Sequence, residues 1–85
     1  MSDLPTQFRQ AQQDVNSLAV RPDNITLLRL YGLYKQATVG DAAGELPGGL
    51  DFVRRAKYEA WEELSGTSAD DAMRQYIDLV ATLTH

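Results

Sequence analysis

The chain contains no cysteine. That absence removes disulfides, thiolate zinc sites, iron–sulfur clusters and cysteine nucleophiles together. It has no surplus of positive charge either: eight Lys and Arg stand against twelve Asp and Glu, giving a net charge of -4 and a pI near 4.7. Binding to nucleic acid by counterion release normally needs overall basicity, so no nucleic-acid partner is expected, and any polyanion must meet a local basic cluster. No apolar run approaches the ~20 residues of a membrane span. The segment from Met1 to Gln10 has neither a basic n-region nor an apolar h-region, which predicts an unexported, cytoplasmic protein. The only histidine is the terminal His85, where end mobility argues against a preorganised base or metal ligand. Strand signals are missing too, because no segment alternates with period two for long and the β-branched residues are scattered singly.

What remains is an 85-residue chain that is 44% hydrophobic and 24% charged, with six Gly and three Pro, close to globular averages. One domain spanning residues 1–85 is expected, and without staples it must rest on well-packed helices. Met1 and a domain-sized chain imply a standalone product.

Leu4, Phe8, Ala11, Val15 and Leu18 fall at steps of three and four and predict a first helix over 3–18. Pro22 breaks the chain and Asp23 is placed to cap a second helix over 23–38, in which Leu27, Leu28, Leu30, Tyr31 and Tyr34 crowd the surface before Gly40 at C′. Residues 40–50, GDAAGELPGGL, carry four Gly and one Pro, too many breakers for a regular element. Asp51 is placed to cap a third helix over 51–65, with Val53, Ala56, Lys57, Ala60, Trp61 and Leu64 and a closing Gly66. Ser68, three residues before Asp71, resembles a capping box for a fourth helix over 68–84 with the stripe Ala69, Met73, Tyr76, Val80 and Leu83. The result is an all-α four-helix bundle. Its two short connections favour antiparallel neighbours, whereas the 40–50 loop is long enough to cross the bundle, which permits an up-down-down-up order.

Two clusters have the makings of a binding site. Tyr31, Tyr34 and Lys35 share adjoining parts of one helix surface, an arrangement that suits a base and its phosphates or, equally, an ordinary core edge with a solvated lysine. Arg54, Arg55 and Lys57 place three of the eight cations within four residues near a helix N-terminus. Free N–H groups and the helix dipole there suit an anion, helped by the approach of Gly48 and Gly49, while the bland alternative is a solvated face balanced by Glu59, Glu62 and Glu63. No catalytic residue and no metal ligand emerge: Glu62 and Glu63 cannot share a helix face, Asp70 and Asp71 fit helix-start electrostatics, and the glycines form no phosphate-loop pattern. An enzyme is not expected.

The runs YGLYKQATVGD from Tyr31 to Asp41, LPGGLDF from Leu46 to Phe52, AKYEAWEEL from Ala56 to Leu64 and GTSADDAMRQYI from Gly66 to Ile77 together resemble the acyl-CoA-binding protein family. The order and spacing fit throughout, and the likeness covers essentially the whole chain. The resemblance implies an up-down-down-up bundle that binds one medium- to long-chain fatty acyl-CoA non-covalently, without a cofactor. It further implies a monomer that carries and pools its ligand, serving acyl-CoA-using enzymes or meeting membranes transiently. By matching position, Tyr31, Lys35 and Lys57 take the phosphates and adenosine of CoA, Tyr34 lies beside the adenine, and Tyr76 is a further ligand-facing tyrosine. Leu27, Leu28 and Val53 are candidates for the acyl groove, with Pro22 shaping its wall and Arg21 beside it. Several cations must converge on CoA, since each charge-assisted hydrogen bond is worth about 1.5–3 kcal/mol when partly desolvated. Burial of two further methylenes tightens binding by about tenfold until the groove is full.

Three departures from the family pattern thin its lysines or reshape its aromatics. Asn16 and Val53 stand where many members carry a basic residue, and Tyr58 stands at the usual tryptophan position. Arg54 and Arg55 can compensate in charge, but an arginine fork is not a lysine point charge. The thinned set leaves an alternative open, a helical interaction module that has lost its lipid ligand and docks a basic partner through Glu59, Glu62, Glu63, Asp70 and Asp71.

Overall fold

The computed structural model describes residues 3–44 and 51–84, which form α1 (Leu4–Asn16), α2 (Asn24–Thr38), α3 (Phe52–Glu62) and α4 (Ala69–Leu83). The loop glycines Gly48 and Gly49 and the terminal His85 lie outside the described residues. Each helix starts on a side chain that accepts a hydrogen bond from its own first turn. Asp3 receives Thr6 N–H at 2.9 Å, Asp23 receives Thr26 N–H at 2.7 Å, Asp51 receives Arg54 N–H at 3.0 Å and Ser68 receives Asp71 N–H at 3.1 Å. Each cap satisfies a donor that the helix itself leaves without a partner.

Two helices end earlier than their apolar stripes suggest. After Asn16, the N–H groups of Ser17 and Leu18 turn to the carbonyls of Asp14 and Val15, three residues back. The same tightening follows Glu62, where Leu64 and Ser65 donate to Trp61 and Glu62, and Gly66 at φ 92° then reverses the chain. The shift from i−4 to i−3 bonding is how a terminal turn occupies its last carbonyls. At the end of α2, Val39 N–H bonds Lys35 O at 2.8 Å and Gly40 takes φ 99°, the left-handed C′ conformation.

Three helix pairs pack: α1 with α4, α2 with α4, and α2 with α3. The order across the molecule is therefore α1, α4, α2, α3, a slab with extents 43 × 29 × 14 Å. Partners along each seam fix the directions. On α2 and α3 the partners advance together, Tyr31 with Lys57, then Gly32 with Ala60, then Lys35 with Trp61, so these helices run parallel. On α2 and α4 they run in opposition, Gln36 reaching Thr67 before α4 while Arg29 and Leu33 share a cleft with Asp78 and Leu79. Phe8 meets Tyr76, and further along Asp14 shares a cleft with Thr84, so α1 and α4 are parallel. The bundle is up-down-down-up.

The core lies among α1, α2 and α4, in Phe8, Ala11, Leu30, Leu33, Ala37, Ala72, Tyr76 and Val80. Phe8 packs edge-on to Tyr76 with centroids 5.0 Å apart and planes at 81°. On α2 the buried stripe is Leu30, Leu33 and Ala37 rather than the more crowded Leu27, Leu28, Tyr31 and Tyr34. A helix flanked by two neighbours must be apolar on more than one face, and the surplus face of α2 looks toward α3. α3 buries no residue fully: Ala56, Ala60 and Trp61, with Leu64 just beyond its end, are half-buried and Val53 is exposed. Ala69, at the start of the α4 stripe, is also exposed, and Ala72 is buried in its place.

α3 is held instead by contact of backbones and by its ends. A Cβ on Gly32 would lie 2.7 Å from the carbonyl oxygen of Ala60 and 2.9 Å from its carbonyl carbon, so only glycine permits this approach. Beyond it, the buried Gln36 donates through Nε2 to Asp41 Oδ1 and to Thr67 O, both at 2.8 Å, and Gly66 N–H donates to the same Asp41 oxygen at 2.8 Å. Trp61 Nε1 donates to Gly40 O at 2.7 Å. The end of α2 is thereby tied both to α3 and to the α3–α4 turn. The ion pairs seen among the described residues, Arg54–Asp51 and Arg74–Asp71, are exposed i,i+3 pairs and add little.

Gly32→Ala is expected to destabilise the protein by about 1–3 kcal/mol despite the better helix propensity of alanine, because the Ala60 backbone has to move. Unchanged thermal unfolding would show that α3 yields freely there. The hydrogen bonds from Gly66 N–H and then Gln36 hold the Asp41 carboxyl below its usual value of 3.8. They favour the charged form, so their stabilisation is complete above the ordinary carboxylate value and is lost as pH falls through the depressed folded one. Asp3 and Asp23 are lowered chiefly by Thr6 and Thr26 and act in the same sense. Asp41→Asn should therefore lower the melting temperature at neutral pH and lessen its further fall in acid, as measured by calorimetry across that range.

Candidate functional site

Toward their N-termini, α2 and α3 enclose a cavity of about 410 Å³. Its walls are apolar: Leu27 and Leu28 of α2 face Phe52, Val53 and Ala56 of α3. Its rim is polar and cationic, with Arg21 and Asn24 at one end and Tyr31 and Lys57 at the other. Helical periodicity explains the set, since 24, 27, 28 and 31 share one face of α2 while 53, 56 and 57 share one face of α3. Phe52 and Val53 stand 68% and 63% exposed at the mouth, a large unpaired apolar surface for so acidic a chain.

The two lysines of the α2–α3 seam rest on rings rather than on carboxylates. Lys57 Nζ lies 5.3 Å from the Tyr31 ring centroid, and one turn further along Lys35 Nζ lies 5.1 Å from that of Trp61. Trp61 is itself fixed by its bond to Gly40 O and by an edge-on contact with Tyr58 at 6.1 Å. Tyr58 anchors the loop after α2 by donating its hydroxyl to Gly44 O at 2.9 Å. Arg54 is engaged by Asp51 at 3.9 Å, and Arg21 Nη1 donates to Asn24 Oδ1 at 3.4 Å. Neither Lys35 nor Lys57 forms an ion pair with a described residue.

Of the residues singled out in the sequence, Arg21, Leu27, Leu28, Tyr31, Val53 and Lys57 come together at this cavity. Lys35 lies on the same α2–α3 seam one turn on. Tyr34 is 39% exposed and packs its ring at 6.1 Å on Phe8 of α1, away from that seam. Tyr76 is 6% exposed and sits in the core on Phe8, where burial, aided by Tyr34, pushes its hydroxyl above the usual tyrosine value. Pro22 is half-buried beside Arg21. Asn24, Phe52 and Ala56 were not picked out as site residues, although each is one helical step from a residue that was. Trp61 as the support of Lys35 has a signal only in hindsight, since the two are far apart in sequence.

An apolar cleft edged by an ammonium, a guanidinium and a phenol, with a second ammonium one turn further along the seam, suits an amphiphile with an anionic head and an apolar tail. The fold and cleft define a small helical ligand-binding module. Residues 5–80 match the family model described as Acyl CoA binding protein. The chain is 49% identical over 76 residues to Acyl-CoA-binding protein 2 of Saccharomyces pastorianus and to the acyl-CoA-binding protein of Saccharomyces cerevisiae, covering 89% of this chain and 87% of each relative. Its structure is similar to the crystal structure of Oryza sativa Acyl-CoA-Binding Protein 2, with a TM-score of 0.89, 37% identity, and 95% and 90% of the two chains covered. It is also similar to the solution structure of the yeast acyl coenzyme A binding protein, with a TM-score of 0.68, 45% identity and coverage of 92% and 95%. The chain belongs to the acyl-CoA-binding protein family, a family of carriers rather than enzymes.

The burial of Tyr76 gives a direct check. Tyr76→Ala should cost about 3–5 kcal/mol of stability, as truncation of a core aromatic does. A melting temperature close to that of the parent protein would remove Tyr76 from the core.

Proposed function

We propose that the protein binds one medium- to long-chain fatty acyl-CoA thioester non-covalently and acts as its carrier and pool-former. The observation that carries this reading is the α2–α3 cavity of a family member, apolar within and edged by Lys57 over Tyr31. The acyl chain lies against Leu27, Leu28 and Val53, where each buried methylene contributes about 0.8 kcal/mol. The phosphates of CoA meet Lys57 and Lys35, with Arg21 at the far rim. Both ammonium groups wait on aromatic faces, so a phosphate oxygen displaces water and a ring contact and does not have to break an ion pair. Tyr31 offers its hydroxyl to a phosphate or thioester oxygen, and Tyr34 offers a π-face to adenine only where the ligand wraps past the seam.

Val53 replaces a cation of the family pattern with an apolar group at the mouth. The exchange trades one head-group contact for more cover over the chain. Arg55, half-buried one turn away from Phe52, supplies charge nearby. No helix among the described residues is long and apolar enough to cross a membrane. The proposed working form is a cytoplasmic monomer that passes its ligand to acyl-CoA-using enzymes, with transient membrane contact.

Calorimetric titration with palmitoyl-CoA, alongside free CoA and free palmitate, should give saturable one-to-one binding of the thioester and much weaker binding of either fragment. Lys57→Ala should weaken it by about tenfold or more, the loss of one charge-assisted contact, with thermal unfolding unchanged. Tyr31→Phe should weaken it less. No saturation with the thioester would overturn the carrier reading and bring forward a protein-interaction module; equal affinity of Lys57→Ala would take that lysine out of the site.

A further inference from the structure

Large apolar side chains stand exposed at one end of the molecule. Val20, 81% exposed, precedes α2 and Ile25, 79% exposed, lies in its first turn, while the exposed Phe52 and Val53 open α3. Because α2 and α3 run parallel, their starts share an end, and the ends of α1 and α4 meet Val20 there in one cleft through Ser17, Leu18, Leu83 and Thr84. The mouth of the α2–α3 cavity lies at the same end. Covering such a cluster removes apolar surface from water, which is favourable.

Charge sorts the two ends. Arg21, Arg54 and Arg55 stand at the apolar end, with Lys57 one turn further along α3. Of the acids there, Asp23 and Asp51 each accept an N–H of the helix they open and lie against its positive dipole end, and Asp14 sits in the cleft beside Val20. The opposite end carries Asp41 after α2, Glu62 and Glu63 at the close of α3, and Asp70 and Asp71 in the first turn of α4. The acidity behind the net charge of -4 is therefore concentrated away from the apolar end.

We infer that this end docks on an anionic bilayer surface, with Val20, Ile25 and Phe52 entering the headgroup layer and Arg21, Arg54 and Arg55 meeting the lipid anions. The inference rests on the carrier reading, which includes transient membrane contact, and deepens it by naming the face and the lipid class. An anionic surface attracts the arginines and repels the opposite end, so it orients the molecule as well as holding it. Docked in this way, the cavity mouth faces the bilayer. A second copy fits the same end poorly, because an end-to-end pair would set arginine against arginine. An uncharged bilayer offers the apolar contact without the attraction.

The test is co-sedimentation of the ligand-free protein with phosphatidylserine-containing and with pure phosphatidylcholine vesicles, beside titration of the parent protein with palmitoyl-CoA. The parent should partition onto the anionic vesicles and lose most of that partition at raised salt. A cation near an anionic surface is worth about fivefold, so Arg54→Gln should weaken partition by about that factor. Val20→Ser with Ile25→Ser, two changes at exposed positions, should weaken it further. Arg74→Gln is the control: Arg74 forms the same kind of exposed i,i+3 pair as Arg54 but lies toward the acidic end, and its loss should leave partition unchanged. Palmitoyl-CoA binding without vesicle partition, with equal partition onto both vesicle types, or with equal losses in Arg54→Gln and Arg74→Gln, overturns the docking face and leaves the carrier reading standing. Dimerisation of the parent that the Val20→Ser, Ile25→Ser variant abolishes gives this end to a second copy and overturns it as well. Failure of the parent to bind palmitoyl-CoA overturns the carrier reading and this inference with it.

Discussion

The contact on which the rest depends is the approach of two parallel helices at Gly32. The carbonyl of Ala60 lies where any other side chain would put its Cβ, and α3 has no buried residue with which to hold itself in place. Backbone proximity therefore does for α3 what side-chain burial does for α1, α2 and α4. Once the helices touch there, the pairs before and after the contact are fixed: Lys57 comes to Tyr31 and Trp61 comes under Lys35. The cavity is what remains between the same two helices toward their N-termini.

This division separates the core from the cavity within one small chain. The core of Phe8, Leu30, Leu33, Tyr76 and Val80 belongs to three helices and contributes nothing to the cavity. The cavity uses the second apolar face of α2 and the half-buried face of α3, surfaces the core does not need. Val53 and Lys57 line the cavity and take no part in the core. Val53 puts an exposed apolar residue at the mouth of that cavity. Tyr58 has a structural task through its hydroxyl on Gly44.

Polar groups close the structure at the other end. Asp41 gathers Gln36 and Gly66 on one carboxylate oxygen, so the end of α2 and the turn before α4 are held by a single side chain. Gln36 is nearly fully buried, and among the described residues its Oε1 has no partner. Such a group is retained where its other bonds are needed, because losing them would leave buried donors and acceptors unmatched.

Helix number, helix starts and the absence of strands were legible in the sequence, because caps and apolar periods are local: Asp23, Asp51 and Ser68 each act within three residues of themselves. Local signals also placed Tyr31 with Lys35 on one helix and Lys57 on another. They did not say which face of α2 is core, because that helix is apolar toward both neighbours and only the position of α4 assigns Leu30 and Leu33 to the interior. Nor did they show that Tyr76 packs edge-on to Phe8 while Tyr31 stands at the α2–α3 cavity, since each lies on the stripe of its own helix. Gly32 had a signal, a lone glycine inside a helix at a cost of about 1 kcal/mol relative to alanine, which calls for a packing reason. What the sequence determined by itself is therefore the set of helices and the residue types available for binding. Which of them meet was decided by the tertiary structure, because the close approach at Gly32 and the cavity between Leu28 and Ala56 exist only between elements far apart along the chain.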